Sequence, residues 1–391
     1  MRRRAAVAAA FAVGAVAGAA LVLSLPVPGM PAGPSEPRPP APRVLGPAPV
    51  STLLAWTPGS LPAGYVRAVR ALPTARAATA VNSGVVWVDR WRNGDGRVGR
   101  APNGFRIPVE VASVRPKTYA PFVPPAEREA ILEHGSVLIG ATFAQMHGLA
   151  SGSVLRAGAT ALQIDGVIDD PLIGAHEVIV PPTIGARLGI VRSRYLLVAP
   201  RPGNAPRVEA ALRRLVPPGV RVRVRSPGET PVFRHGDAVL PPVRLKELFG
   251  EFSAREVGGG LLELHPSWVR ANIESARVPI LGRIRCHRLV IPLIRAALED
   301  LTRRGLGRLV DPADYGGCYY PRYIARDAGT GISHHTWGIA IDINVSQGLP
   351  GRQPTIDPRI VEAFEAQGFK WGGEFLVPDG THFELVRFPS S

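Results

Sequence analysis

Two short segments near the C-terminus hold side chains whose types suit a catalytic metal site. His335 and Asp342 lie in the first segment, and Asp379, His382 and Glu384 lie in the second. Zinc binds neutral imidazole and carboxylate, and two histidines with one carboxylate leave the fourth position of a tetrahedral ion open. His335, Asp342 and His382 are therefore candidate metal ligands. Asp379, three residues before His382, is a candidate general base that need not be a ligand.

The first segment predicts a strand that must be preceded by a turn. Apolar side chains alternate from Ile339 to Val345, which predicts a strand with its isoleucines on the core and Asp342 on the opposite face. Aspartate is a poor strand former, so its presence there favours a functional role. His335 precedes Asp342 by an odd number of residues, and a continuous strand would point the two apart. Gly338 therefore predicts a turn that brings both side chains to one metal.

The second segment predicts a tight turn followed by a strand. Pro378–Gly380 has the composition of a turn. In the strand after it, His382 and Glu384 share one face, while Phe383 and Leu385 share the other. Each segment alone is a weak signal, because a buried ion pair would account for most such spacings.

In combination, the two segments resemble the M15 zinc peptidases. The pattern S-x-H-x-x-G-x-A-x-D is followed by D-x-x-H-x-E, and the matching residues are Ser333, His335, Gly338, Ala340, Asp342, Asp379, His382 and Glu384. The resemblance also covers Gly316–Arg322 and Phe369–Gly373, and extends more faintly back to about Leu245. This family comprises D-alanyl-D-alanine carboxypeptidases and dipeptidases and phage L-alanyl-D-glutamate endopeptidases. The shared ligands do not distinguish the two activities.

The resemblance implies an α+β fold, of the hedgehog/DD-peptidase type, with a small antiparallel sheet that holds Zn²⁺. It implies His335, Asp342 and His382 as zinc ligands and Asp379 as the general base. An arginine upstream of the first histidine stabilises the oxyanion in this family; Arg322 matches that position, and Arg326 is the competing candidate.

Other residues near the motif have less defined roles. Ser333 and Glu384 are expected beside the ligands, and Trp371 either shapes the substrate cleft or belongs to the core. His334 is expected to be a bystander. The histidines outside the motif, His265 and His287, are expected to be structural. Gly348–Gly351 predicts a flexible turn, placed where specificity could differ from that of other family members.

The composition is compatible with a folded, exported protein. The chain has 391 residues, 46% of them hydrophobic, and a net charge of +15. Only three of the 46 basic residues are lysines, which indicates a coding bias toward arginine. The basic balance favours anionic partners such as wall polymers or membrane surfaces. The arginines are scattered and no nucleic-acid motif occurs, so no nucleic-acid partner is expected.

The N-terminus predicts export. Arg2–Arg4 precede the apolar run Ala5–Leu25, whose length is about the 20 residues that cross a bilayer core. No A-x-A cleavage site follows, so residues 1–25 favour a signal-anchor over a cleaved signal peptide. The positive flank would stay in the cytoplasm, and the rest would be extracytoplasmic and anchored to the bacterial cell membrane. The alternative is a secreted protein. Residues 26–50 are rich in proline and predict an extended linker.

The only cysteines, Cys286 and Cys318, agree with export. In an oxidising compartment a disulfide between them would close a loop of about 30 residues and stabilise the fold by about 3–4 kcal/mol. Two unrelated buried thiols are the alternative. A cysteine metal site is disfavoured, because neither has a C-x-x-C partner.

Residues 51–227 predict a mostly β module. Short apolar runs alternate with turn residues, and six of them predict strands: 85–88, 107–111, 136–139, 161–164, 177–180 and 195–198. Two helical stretches, near 125–134 and 206–215, interrupt the series. Gly135–Ser153 and Gly166–Asp170 carry a weak resemblance to the extracytoplasmic domain of MacB/FtsX-type permeases. The β module is expected to interact with a membrane protein or to act as a spacer.

These predictions combine into one organisation and two functions. Residues 228–240 form a second linker, and residues 241–391 form the peptidase-like domain, in which 288–304 predicts a helix. The favoured function is a zinc-dependent peptidase that hydrolyses the D-amino-acid-containing stem peptides of peptidoglycan, its expected partner. The alternative is a non-catalytic wall-binding or scaffold protein that retains the metal site.

Overall fold

The computed structural model describes residues 52–226 and 240–389, apart from residues 126, 127, 129, 130 and 132–136. The membrane-spanning helix expected at 1–25, the linker at 26–50 and nearly all of the linker at 228–240 lie outside the described residues. In the described ranges, no helix combines the length and the apolar character that crossing a bilayer requires. Whether residues 1–25 anchor the chain thus stays a prediction.

The described chain mixes helices and strands. The strands are β1 (Leu53–Trp56), β2 (Ala75–Val88), β3 (Arg90–Arg92), β4 (Val98–Arg100), β5 (Ile107–Ser113), β6 (Leu138–Gly140), β7 (Val154–Ala157), β8 (Thr160–Gln163), β9 (Gly166–Ile168), β10 (Val178–Val180), β11 (Ser193–Pro200), β12 (Arg223–Arg225), β13 (Ala254–Gly258), β14 (Leu261–Leu264), β15 (Ile273–Val278), β16 (Gly282–His287), β17 (Ala340–Asp342), β18 (Phe369–Trp371) and β19 (His382–Leu385). The α-helices are Tyr65–Arg70, Pro116–Tyr119, Ala141–His147, Pro182–Arg187, Ala205–Arg214, Pro242–Phe249, Pro266–Asn272, Ile291–Arg303 and Pro358–Ala366.

The β module is built on one large mixed sheet. Among the described residues, this sheet has the strand order β12-β1-β11-β2-β5-β10-β6-β9, and a smaller sheet has the order β4-β3-β7-β8. Each of the six runs predicted as strands overlaps an observed strand, and the helix predicted near 206–215 is Ala205–Arg214. β5 is buried on both faces, so its near-continuous apolar sequence reflects a central position in the sheet.

The C-terminal part contains two hairpins and a three-stranded sheet. The hairpins are β13–β14 and β15–β16, and the sheet has the order β17-β19-β18 with antiparallel pairing throughout. The helix predicted over 288–304 is Ile291–Arg303, and its apolar face lies in the same core as Pro358–Ala366 and the three-stranded sheet. The expected small antiparallel sheet is therefore present.

β17 is shorter than its sequence predicted. The isoleucines at 339, 341 and 343 are fully buried, as the alternation required. The chain leaves the strand at Asn344, which has a left-handed backbone with φ 49°. Its buried side-chain amide donates to the carbonyl of Leu309, and its side-chain oxygen accepts the N–H of Asp311. These contacts favour a turn at Asn344 instead of continued pairing, so the strand expected to reach Val345 ends at Asp342.

A buried ion pair joins the β module to the C-terminal part. Lys246 donates to Glu177 at 2.6 Å and also lies 2.9 Å from Glu251, and the Lys246 and Glu177 side chains are almost fully buried. Burial opposes the charge on Lys246, but the two carboxylates outweigh it and raise the pKa of the lysine. Removing one member of such a pair leaves a buried charge without a partner, which is strongly destabilising.

Cys286 and Cys318 form a disulfide with a sequence separation of 32 residues, as predicted. The bond joins β16 to the segment that precedes the first metal-ligand motif. Next to it, the N–H of Tyr319 donates to the carbonyl of Arg285 at 3.0 Å, so this segment is held to the hairpin at successive residues.

We expect a Cys286→Ser/Cys318→Ser variant to lose about 3–4 kcal/mol of unfolding free energy, because the unfolded chain regains the entropy of a loop of this length. Urea denaturation of the oxidised protein and the variant measures the difference. Reduced wild-type protein is the control and should behave like the variant. Equal denaturation midpoints before and after reduction would contradict a stabilising role.

His287 is a structural histidine, as expected from its position outside the motif. Its ring is 1% exposed, with Nε2 3.2 Å from the carbonyl of Phe249 and Nδ1 accepting the N–H of Leu289. The neutral ring, protonated on Nε2, satisfies both contacts. Burial lowers the pKa of His287 to about 4.

Because an unfolded histidine titrates near pH 6.5, the unfolded state binds more protons than the folded state between about pH 6.5 and about pH 4. The free energy of unfolding must therefore fall as the pH falls through this window. We expect wild-type protein to lose about 2 kcal/mol more than His287→Gln between about pH 7 and about pH 5. Urea denaturation at both pH values measures this, and parallel pH dependence of the two proteins would refute it.

Candidate metal centre

Three candidate ligands converge at one end of the three-stranded sheet. His335 lies on the 3-10 helix His334–Thr336, Asp342 ends β17, and His382 begins β19. Asp342 and His382 are directly paired in the antiparallel register, so their side chains leave the same face side by side. Gly338, with φ 68°, makes the predicted turn between the helix and β17. A side chain there would also collide with the backbone of His287.

The three candidate ligand groups form a nearly equilateral triangle of nearest contacts, in which each oxygen of Asp342 faces one of the two histidines. Nε2 of His335 lies 3.2 Å from Nδ1 of His382 and 3.2 Å from Oδ2 of Asp342. Nδ1 of His382 lies 3.1 Å from Oδ1 of Asp342. Zinc bonds of about 2.0–2.1 Å at tetrahedral angles place neighbouring ligand atoms about 3.3 Å apart. The three groups are therefore close enough for one atom of each to bind a single ion.

The remaining ring nitrogens define which tautomer each histidine adopts. Nδ1 of His335 lies 2.8 Å from the carbonyl oxygen of Cys318, which only accepts, so His335 carries its proton on Nδ1. Nε2 of His382 faces a carboxylate oxygen of Glu384 at 3.2 Å, which assigns its proton to Nε2. In the neutral form that binds a metal, each ring therefore points its lone pair into the triangle. Partners of this kind orient imidazole ligands for a metal.

The electrostatics of the triangle favour a positive charge at its centre. Burial disfavours a charged His382, but Asp342 and Glu384 outweigh burial and raise its pKa to about 10. Burial also opposes ionisation of Asp342, yet the two histidines hold its pKa far below the usual range. Both shifts mean that the site attracts a cation. A proton and a metal ion compete for this position, so metal affinity should fall with decreasing pH.

Glu384 and His334 form a supporting pair behind His382. The Glu384 side chain is buried, and Oε2 lies 2.7 Å from Nδ1 of His334 as well as 3.2 Å from His382. The expectation that His334 is a bystander is therefore wrong, because its ring partners the carboxylate that orients a ligand. Ser333 is also buried, and its hydroxyl accepts the N–H of His335 at 3.4 Å, which caps the 3-10 helix.

Asp379 lies on the turn that leads into β19. Its carbonyl accepts the N–H of His382 at 3.3 Å, and its carboxylate accepts the hydroxyl of Thr381 at 2.9 Å. The side chain is half-buried and stands outside the triangle. The structure thus places Asp379 on the same turn as the candidate ligand His382 and outside the group of three that could hold a metal.

Trp371 and Gly348 hold the Asp379 turn in place. The half-buried indole of Trp371 packs against the core and donates from Nε1 to the carbonyl of Gly380 at 2.8 Å. The carbonyl of Gly348 accepts the N–H of Gly380 at 3.0 Å, and a side chain on Gly348 would collide with the backbone there. The glycine-rich turn after Asp342 therefore lies against the general-base candidate.

Arg322 and Arg326 both lie over the ring of Tyr320, with guanidinium carbons 5.7 Å and 5.9 Å from its centroid. Arg326 is exposed and donates to the Tyr320 hydroxyl at 3.0 Å. Arg322 is tied to the ligand helix through its backbone, since its N–H donates to Thr336 and its carbonyl accepts from Ser333. Within the described part of the chain, no ion pair involves the Arg322 guanidinium.

Sequence reasoning missed two contributors to this site. The carbonyl of Cys318 orients His335, and no side-chain pattern marks a backbone group in that role. His334 was visible only as a second histidine beside the ligand, and its contact with Glu384 depends on a residue fifty positions away in the chain. Neither contact could be assigned without the tertiary structure.

Comparison with solved structures finds domains of membrane transporters. They include the periplasmic region of MacB from Actinobacillus actinomycetemcomitans (8% identity, 46% of this chain and 90% of that chain, TM-score 0.32). They also include a domain of a putative permease from Porphyromonas gingivalis (16%, 51% and 95%, TM-score 0.30) and the extracellular domain of the transporter YknZ from Gram-positive bacteria (12%, 45% and 100%, TM-score 0.31). Similarity at this level carries no inference about what this chain does.

Sequence comparison gives a family match that covers the candidate metal site. No curated protein matches the chain. The M15_4 peptidase family model, described as D-alanyl-D-alanine carboxypeptidase, matches residues 326–385. This range includes the three candidate ligands, Asp379 and Glu384, and it begins after Arg322. Residues 326–385 therefore match the family that the two motifs resembled.

Proposed function

We propose that this chain is a zinc-dependent peptidase that hydrolyses the D-amino-acid-containing stem peptides of peptidoglycan. The observation that carries the proposal is the triangle of His335, Asp342 and His382, with ligand atoms 3.1–3.2 Å apart, inside the segment that matches the carboxypeptidase family. Two imidazole lone pairs and a carboxylate in this arrangement are a donor set that zinc prefers.

The number of ligands supports catalysis over a purely structural metal. Structural zinc sites use four protein ligands, whereas catalytic sites use three and keep one position open. Within the described residues, no fourth metal-binding side chain joins the cluster. A zinc ion held here supplies Lewis acidity toward a water molecule and a peptide carbonyl.

Asp379 acts as the general base. It accepts a proton from the attacking water and returns it to the amine that leaves when the peptide bond breaks. The Thr381 hydroxyl donates to Oδ1 of Asp379, which orients the carboxylate. Trp371 and Gly348 hold the turn on which the base lies.

Arg322 stabilises the negative charge that develops on the carbonyl oxygen in the transition state. Its backbone is bonded to the ligand helix at Ser333 and Thr336, so its position follows that of His335. A fixed guanidinium aimed at a developing oxyanion lowers the barrier without reorganising. Arg326 is the weaker candidate, because its guanidinium already donates to Tyr320.

The substrate and the location are further parts of the proposal. The family description supports a D-alanyl-D-alanine peptide as substrate. The disulfide supports an oxidising, extracytoplasmic compartment, where peptidoglycan is found. Anchoring through residues 1–25, and a membrane-protein partner for residues 51–227, remain proposals from the sequence. The scaffold alternative is disfavoured, because every residue of the catalytic pattern is present.

Metal removal tests the proposed reaction. We expect a chelator to abolish hydrolysis of purified muropeptides and zinc to restore it, and His335→Ala to lower kcat/KM by at least about 10³-fold, because the metal activates the nucleophile. His265→Ala is the control, since His265 contacts Ser267 outside the site. Mass spectrometry of the products distinguishes carboxypeptidase from endopeptidase cleavage. Wild-type protein that binds wall fragments but releases no amines would favour the scaffold alternative.

Replacing the base separates proton transfer from metal binding. We expect Asp379→Asn to lower kcat by about 10²–10⁴-fold, because the amide cannot accept the proton, while the zinc content stays at the wild-type level. Zinc content by mass spectrometry and kcat on the same preparation measure both effects. Asp169→Asn, an exposed aspartate of the β module, is the matched control. Full activity of Asp379→Asn would exclude this aspartate as the base.

A further inference from the structure

Two segments border the metal centre on the chain, and both contact the β module. The first rim is residues 321–331, which carry Arg322 and Arg326. The second rim is residues 372–378, which run between Trp371 and Asp379. The ring of Phe375 in the second rim lies 5.9 Å from the ring of His382, so this rim adjoins a metal ligand directly.

The first rim is held by the side chain of Trp87 on β2. The indole Nε1 donates to the hydroxyl of Tyr323 at 2.9 Å, and that hydroxyl donates to Glu256 at 2.8 Å. The Trp87 ring is half-buried and packs against the core of the C-terminal part. Tyr323 follows Arg322 in the chain, so a side chain of the β module is hydrogen-bonded directly to the neighbour of the proposed oxyanion arginine.

Arg194 on strand β11, and Arg192 just before this strand, contact the same rim at two more points. Arg194 is buried and donates to the carbonyl of Thr330 at 3.1 Å and to that of Pro58 at 3.4 Å. Arg192 pairs with Asp327 at 3.2 Å, but both side chains are exposed and such a pair contributes little. The buried arginine is the stronger contact, because losing its carbonyl partners would leave a buried cation unsatisfied.

The backbone of the first rim needs this support. Ala325 and Arg326 have φ values of 50° and 58°, in the left-handed region that non-glycine residues rarely adopt. Gly260 passes so close that a side chain on it would collide with the carbonyl of Arg326. A strained turn of this kind persists only where surrounding contacts determine it. The contacts from Trp87 and Arg194 are among those that do so.

The second rim is held by the edge strand β12 of the same sheet and by a residue just before it. Arg223 on β12 donates to the carbonyl of Glu374 at 2.6 Å, and Arg221 donates to that of Leu376 at 3.4 Å. The side chain of Leu376 packs against a hydrophobic core of the β module. The contacts are thus reciprocal, because Trp87 packs against the core of the C-terminal part and Leu376 packs against a core of the β module.

We infer that the β module helps to set the geometry of the metal site. Trp87 and Leu376 are positioning residues that hold the two rims in the geometry needed for catalysis. This inference rests on the proposed peptidase function for its activity readout. It assigns the β module a role that neither an independent docking domain nor a passive spacer would have. A peptide bound at the metal would lie between these rims, so their position would set how it is oriented.

Matched variants of the full chain test the inference. Trp87→Phe keeps an aromatic ring but removes the hydrogen bond to Tyr323, and Leu376→Ala empties the contact with the β module. The control for the first is Trp91→Phe, whose ring contacts His147 away from both rims. The control for the second is Leu172→Ala, which packs on the same core as Leu376. The assays are kcat and KM on muropeptides, zinc content, thermal stability, and amide hydrogen exchange of the two rims.

We expect Trp87→Phe and Leu376→Ala to lower kcat/KM about tenfold with unchanged zinc content, because each substitution removes a contact that holds one rim in place. Amides of the altered rim should exchange about tenfold faster. The control variants should show neither effect, even where they lose as much thermal stability as the test variants. Rim exchange equal to that of the controls would overturn the inference. So would faster exchange with unchanged kcat/KM in an enzyme whose wild type is active.

Failure of the proposed function is recognised separately. If wild-type protein with bound zinc hydrolyses no muropeptide, the peptidase proposal fails. Hydrogen exchange then decides the structural half of the inference: faster exchange of the rims in Trp87→Phe and Leu376→Ala retains the positioning role, and unchanged exchange rejects it.

Discussion

The antiparallel pairing of Asp342 with His382 is the constraint on which the site depends. These residues lie directly opposite each other on β17 and β19, so their side chains leave one face of the sheet together. A slip of one residue would move one of them to the core face and bring an isoleucine or a phenylalanine to the metal position. The buried Ile341 and Phe383, paired on the opposite face, exclude that slip because it would expose them. Core packing thus sets the ligand geometry.

The third ligand reaches the same point by a different route. His335 lies on a separate short helix, and a capping serine, a left-handed glycine and the carbonyl of Cys318 determine where its ring points. Because the disulfide fastens Cys318 to β16, the orientation of a metal ligand is coupled to a covalent bond and to the hairpin beneath it. The buried Glu384 has the corresponding role for His382, with His334 as its second partner. Contacts from outside the triangle therefore orient the histidine rings, and the triangle itself attracts a cation.

The β module and the C-terminal part share buried contacts that the sequence did not predict. The buried Lys246 of the C-terminal part pairs with Glu177 of the β module. Trp87 of the β module packs against the core of the C-terminal part, and Leu376 of the C-terminal part packs against a core of the β module. Buried polar contacts of this kind are costly to break, so they hold one arrangement of the interface in preference to others. Both rims of the metal centre lie along this interface.

The sequence by itself identified the candidate ligands, the general-base candidate, the disulfide pairing and fewer than half of the described strands. These features depend on local spacing: alternation marks a strand, a glycine marks a turn, and histidine and aspartate at fixed offsets mark a metal site. The full length of β17 was not predictable, because Asn344 ends it through contacts with Leu309 and Asp311. Only the tertiary structure assigned the Cys318 carbonyl, the His334–Glu384 pair and the contacts of Trp87 and Leu376. Each of these joins groups far apart in the chain, and several use backbone carbonyls, which every residue carries and which therefore leave no mark in an amino-acid sequence.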